Sequence, residues 1–148
     1  MRISIGSDHA GFELKEKLEE HLRELGHDVA DVGAHNTDSV DYPDLAAAVA
    51  TAVARGEAER GVLVCGSGIG VAIAANKIAG VRAANVYDPE MAKMSRLHND
   101  ANVVTMGGRY LPAETAREIV DTFLATAFEG GRHQRRVDKI SALESDRA

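Results

Sequence analysis

The sequence predicts an α/β protein: a single three-layer α/β/α domain with a five-stranded parallel sheet, extending over residues 1–148. Two observations carry that expectation. Segments of strand character alternate five times with helical segments of ten to fifteen residues or so, the pattern of βαβ units. The run Val62, Leu63, Val64 is continuously apolar and β-branched in character, as in a strand covered on both faces.

Each element has its own signal. Arg2 to Gly6 alternates into a short first strand, and Ser-Asp-His-Ala-Gly follows it. Leu14, Leu18, Leu22 and Leu25 recur at helical spacing, with Gly26 as the stop. Val29 to Val32 reads as the second strand and Gly33 to Tyr42 as a polar loop; Pro43 then opens a helix from Asp44 to Arg55 that Gly56 ends. The third strand leads from Gly61 into Gly66, Gly68 and Gly70, and an alanine-rich helix is expected from Val71. Val81 to Val86, Pro89 to His98, Asn102 to Met106 and Pro112 to Phe128 supply the last two strand–helix pairs. Gly130-Gly131 is the one break before a tail. The expected arrangement is Rossmann-like, with ligands held beyond the carboxyl ends of the strands.

That rule turns a linear list into a place. Asp8 and His9 follow the first strand, Tyr42 lies in the loop after the second, Cys65 to Gly70 follow the third, Asp88 the fourth, and Gly107 to Arg109 the fifth. His98, Asn99 and Asp100 end a helix and belong at the opposite edge; if they are catalytic, a second subunit must supply them. The glycine turn suits negative charge, because its backbone N–H groups converge at a helix start. Cys65, the only cysteine, stands at the strand end, within reach of that field. A P-loop is unlike this stretch, since nothing supplies its lysine. A dinucleotide fingerprint fits at Gly66 and Gly68 but would put Val71 at its third glycine, so nucleotide binding, with Asp88 on a ribose, is the weaker alternative.

Composition narrows the function. A charge of −6, from 17 basic and 23 acidic residues, argues against general nucleic-acid binding, and 4% aromatics leave little for base stacking. One cysteine excludes an internal disulfide, and Met-Arg-Ile-Ser-Ile lacks the apolar core of a signal peptide, so a cytoplasmic location is expected. The apolar run Leu45 to Ala54 is far short of a membrane span. No ligand-spacing motif supports a metal, although Asp8, His9, Asp88 and His98 could nominally supply donors. Neither a metal nor another cofactor is expected. Arg132 and Arg136, four apart, would share one helix face and suit a phosphate dianion; in isolation the stretch also reads as a solvated charged face. Asp8 could instead cap the first helix, His98 could be a helix C-terminal residue, and Tyr42 could be ordinary packing.

Taken together, Ser-Asp-His-Ala-Gly-Phe at 7 to 12, Asp-Tyr-Pro at 41 to 43, Cys-Gly-Ser-Gly-Ile-Gly at 65 to 70, Ala-Asn-Lys at 75 to 77, Ser-Arg-x-His-Asn-Asp at 95 to 100 and Glu-Gly-Gly-Arg-His-Gln-x-Arg-Val at 129 to 137 resemble the ribose/galactose phosphate isomerase family, in particular its type B ribose-5-phosphate isomerases. The resemblance implies a metal-independent aldose–ketose isomerase that works through an enediolate on an open-chain sugar phosphate. It also implies a homodimer or dimer of dimers whose sites are shared between subunits, with residues 129–148 at the interface. Cys65 would move a proton between C2 and C1, and Ser67 would assist near the reacting oxygens. The turn Gly66, Gly68, Ile69 and Gly70 would bind the enediolate oxygens. Asp8 and His98 would serve ring opening, Asn99 would hold sugar oxygens, and Tyr42 would join the substrate-binding set. His9, Arg132 and Arg136 would bind phosphate, with Arg109 a further partner. A second branch of the family carries its base as a glutamate four residues after the cysteine position; Ile69 stands there, which places this chain with the cysteine branch. Six-carbon and four-carbon sugar phosphates are the alternative substrates, and a binding module without chemistry is the non-enzymatic alternative.

Overall fold

The alternation is realised in the computed structural model, which describes residues 1–145. Strand β1 (Arg2–Ser7) leads to helix α1 (Phe12–Glu24), β2 (Asp28–Asp31) to α2 (Tyr42–Ala54), and β3 (Arg60–Cys65) to α3 (Ile69–Ala75). Strand β4 (Ala83–Asn85) leads to α4 (Pro89–Asn99) and β5 (Val103–Gly107) to α5 (Ala113–Ala125); a last helix, α6 (Arg132–Ser145), covers most of what the sequence left as a tail. Residues 146–148 of the expected 129–148 tail lie outside the described residues.

All five strands are parallel, in the order β2-β1-β3-β5-β4. The alternation of side chains along a strand divides the interior in two. Val62 and Val64 of β3 face one core with Ile3 and Ile5 of β1; Leu14, Leu18 and Leu22 of α1 and Ile119, Val120 and Phe123 of α5 complete it. Leu63 and Cys65 face the other, against Val49 and Val53 of α2 and Val71 and Ala75 of α3. Both faces of the central strand are therefore covered, which is why its sequence is apolar without alternation.

Several boundaries differ from expectation, α3 starting at Ile69 and not Val71 among them. Helix α2 starts at Tyr42 rather than Asp44, with Asp41 at its N-cap position and Pro43 inside the first turn, where a missing N–H costs nothing. Strand β4 is three residues instead of six: Val81 is taken into a turn on Ile78, and Val86, though it still donates to Thr105 O, lies past the strand's end. Helix α5 spans Ala113–Ala125, inside the expected Pro112 to Phe128. Leu25, the last of the leucine stripe, is the C-cap residue of α1 and 55% exposed, so only three of the four leucines are core.

The strand order fixes where a ligand can sit. From β1 the chain goes one way to β2, then passes back across β1 to β3. The crevice opened by that reversal lies at the carboxyl ends of β1 and β3. Asp8 leaves one strand there and Cys65 ends the other. The two ends are in contact: Asp8 N–H donates to Val64 O at 3.3 Å.

Candidate active site

A cavity of about 480 Å³ occupies this crevice, lined by Asp8, His9, Tyr42, Cys65, Gly66, Ser67, Ile69, Gly70 and Arg109, with Ala10, Ile73 and Tyr110. Cys65, 5% exposed, is at its floor, and the backbone N–H of Gly68 donates to its Sγ at 3.1 Å. That turn needs glycine. Gly68 has φ +82°, and a Cβ there would run into the Asn85 side chain and the Met106 backbone. Ser67 Oγ accepts from Ile69 N–H at 3.2 Å, closing the loop on itself. Helix α3 makes its first backbone closure at Ala72, onto Gly68 O, and the N–H groups of Gly70 and Val71 have no acceptor among the described residues. Fixed donors of this kind beside a thiol suit a developing oxyanion.

The cavity walls are set by close approach. A Cβ at position 70 would lie 2.6 Å from the Tyr42 ring, so the phenol packs on bare backbone and forms the side wall. The Arg109 guanidinium lies over Gly66, 3.2 Å from where a Cβ would be, and brings a fixed positive charge to the cavity mouth. Asp8 Oδ1 accepts from Gly11 N–H at 3.0 Å, closing a turn ahead of α1, whose N-cap is Gly11; its carboxylate still lines the cavity. His9 Nδ1 faces Val40 N–H at 3.3 Å. A neutral ring that accepts at Nδ1 carries its proton on Nε2, a donor suited to an anion.

The remaining site residues are elsewhere. His98 and Asn99 end α4 at the amino edge of the sheet, where Arg82, beside the start of β4, donates to Asn99 O at 3.1 Å. Arg132 and Arg136 begin α6, are exposed, and have no carboxylate partner among the described residues. Between these groups His98 stacks on His133, with ring centroids 4.3 Å apart, and His98 Nε2 is 4.0 Å from Glu129 Oε2. Within one chain, then, the predicted residues form two sets, one at each edge.

The weaker nucleotide alternative loses its acid. Asp88 accepts from Met91 N–H at 2.8 Å as the side-chain cap of α4, and β4 is separated from β3 by β5. Tyr110 and Ile73 in the cavity, and His133 beside His98, went unpredicted. Ile73 reads as one more apolar residue of a helix, and Tyr110 stands one place beyond a candidate arginine. His133 sat inside a motif noticed for its arginines.

A thiol and unclosed amides at a doubly wound switch point, with the Arg109 guanidinium beside them, make an enzyme site suited to an anionic substrate. Comparison with known proteins narrows this class. Residues 3–140 match the family described as Ribose/Galactose Isomerase. The chain is 48% identical over 146 residues to ribose-5-phosphate isomerase B of Escherichia coli, covering 99% of this chain and 98% of that protein. A solved structure of ribose-5-phosphate isomerase B from Clostridium thermocellum superposes with a TM-score of 0.99 at 48% identity, over the full length of both chains. That of the enzyme from Mycoplasma genitalium, with bound ribulose 5-phosphate, gives 0.95 at 44% identity, over 98% of this chain and 97% of that one. The chain belongs to the ribose/galactose isomerase family.

Proposed function

We propose that this chain is an aldose–ketose isomerase that interconverts D-ribose 5-phosphate and D-ribulose 5-phosphate, in the pentose phosphate chemistry of the cytoplasm. The observation that carries the reading is Cys65 at the cavity floor beside the Gly66–Gly70 turn. The thiolate of Cys65 takes the C2 proton of the open-chain aldose, leaving an enediolate whose charge falls on oxygens facing the turn's amides. The same sulfur returns the proton to C1 while Ser67 relays the O2 proton to O1. Splitting the transfer this way needs one base and fixed dipoles. His9 and Arg109 meet the phosphate from this chain, and Asp8 takes part in ring opening.

A second copy of the chain completes the site. His98, Asn99, Arg132 and Arg136 lie at the opposite sheet edge from Cys65, so a sugar phosphate on Cys65 meets them only if another subunit presents that edge. A homodimer, or a dimer of dimers, with residues 129–148 at the interface satisfies this, within one domain per chain.

The test compares kcat/KM for ribose 5-phosphate, allose 6-phosphate, galactose 6-phosphate and erythrose 4-phosphate, each with excess EDTA. Ribose 5-phosphate is expected to be preferred and EDTA to have no effect. A higher kcat/KM on a hexose or tetrose phosphate overturns the substrate assignment; loss with EDTA that magnesium or manganese restores overturns the metal-independent route.

A further inference from the structure

His98 has little of its own to hold its ring. It is the next-to-last residue of α4, its side chain is 41% exposed, and the only carboxylate near it among the described residues, that of Glu129, is 4.0 Å away. One face of the imidazole is nevertheless covered. The His133 ring packs on it at 4.3 Å between centroids, with the two planes 15° apart. The chain is shaped to bring this about. Glu129 N–H donates to Leu97 O at 3.1 Å, Arg96 Nε donates to Thr126 O at 3.0 Å, and Gly130 and Gly131, at φ +71° and +56°, turn the backbone so that α6 starts against the end of α4.

His133 is itself 4% exposed, and its Nε2 is buried with no hydrogen-bond partner among the described residues. A buried polar atom left unpaired is destabilising. The ring turns a flat face toward His98. Burial, and then the neighbouring His98, hold the His133 imidazole below its usual range.

We propose that His133 is a positioning residue for His98: by stacking on it, His133 fixes the plane in which that imidazole meets the substrate. This rests on the reading of His98 as a ring-opening group. A misaligned acid–base group can cost up to about a hundredfold in rate, which sets the scale of what the stack contributes.

The experiment is steady-state kinetics on ribose 5-phosphate with His133→Ala, His133→Phe, His98→Ala and the His98→Ala/His133→Ala double variant, each checked for a wild-type melting transition. His133→Ala is expected to lower kcat about tenfold or more with KM changed less than about threefold. His133→Phe, which keeps a flat ring without nitrogens, should recover kcat to within about threefold of wild type. The double variant should be no slower than His98→Ala alone, because the stack acts only through that ring. Multiplying losses in the double variant, or a His133→Phe that melts like wild type yet is as slow as His133→Ala, would overturn the inference. His98→Ala at the wild-type rate would instead overturn the ring-opening role, and the positioning role with it. A slow His98→Ala beside a fully active His133→Ala would overturn the positioning role alone.

Discussion

Cys65 and Gly70 show how much one residue decides here. Cys65→Ala removes the proposed base but leaves Arg109 and His9 of the cavity in place. We predict turnover reduced by at least about a thousandfold, with binding of a non-reacting phosphate ligand within about threefold of wild type by calorimetry; near-normal kcat in this variant would remove Cys65 from the chemistry. Gly70→Ala puts a methyl group 2.6 Å from the Tyr42 ring and forces the phenol off the cavity wall. A KM raised about tenfold is expected, with Tyr42→Phe close to wild type because packing and not the hydroxyl makes the contact. A Gly70→Ala enzyme with unchanged KM would show that the wall does not touch substrate. At this scale the site was readable where residue types are scarce and adjacent in sequence: a lone cysteine followed by alternating glycines can be singled out. Tyr110 and His133 could not be, because a cavity wall and a ring stack are made by distant segments meeting.

Helix α1 carries a feature that helical periodicity misplaces. Lys15 neighbours Leu14 on the stripe's border, yet its side chain is completely buried, with Nζ 2.6 Å from Asp31 Oδ2 and a second hydrogen bond to Ala34 O. It ties α1 to the end of β2 and to the start of the loop whose Val40 meets His9. Burial works to raise the Asp31 carboxyl, but the Lys15 ammonium and the Gly33 N–H outweigh it and hold it below its ordinary 3.8. A carboxyl depressed in the folded state contributes stability that is present above its unfolded value and lost as pH falls through the folded one. Glu19 beside it is raised, chiefly by burial, and offsets part of that slope. Lys15→Met should cost about 3–5 kcal/mol at pH 7, since it strands a partly buried carboxylate, and should flatten the loss of stability below pH ~4. Urea unfolding of both proteins at pH 7, 4 and 3 measures this, and parallel pH slopes would contradict it. The five strands and the first five helices were legible from spacing and punctuation, whereas α6 was left as a tail. Their ends were not where a neighbour decides: β4 is short because turn contacts take Val81, and Leu25 is exposed because α1 ends beneath it.

At the scale of the whole molecule, the alternation of elements announced a parallel sheet, and the rule of carboxyl ends located Asp8, Tyr42 and Cys65 together before any coordinates. Strand order was not legible, because connection lengths do not say which side of β1 the chain returns to. Yet the order β2-β1-β3-β5-β4 is what opens the crevice. The placement of His98 at the other edge has a direct consequence for assembly. Mixing Cys65→Ala with His98→Ala chains should restore up to about a quarter of wild-type activity per site once subunits have exchanged at random, as each mixed dimer carries one site free of both lesions. No recovery despite demonstrated exchange would mean that each site is built within one chain. Proton transfer between C2 and C1 of ribose 5-phosphate through an enediolate is measured by a proton NMR time course of the metal-free protein with ribose 5-phosphate in D2O. Ribulose 5-phosphate is expected to accumulate with solvent deuterium at C1, with loss of the C2 proton signal in the recovered aldose. No isomerisation at all would contradict that route, as would isomerisation with complete retention of protium in a protein whose Cys65→Ala variant turns over normally, since that combination requires transfer without the thiol.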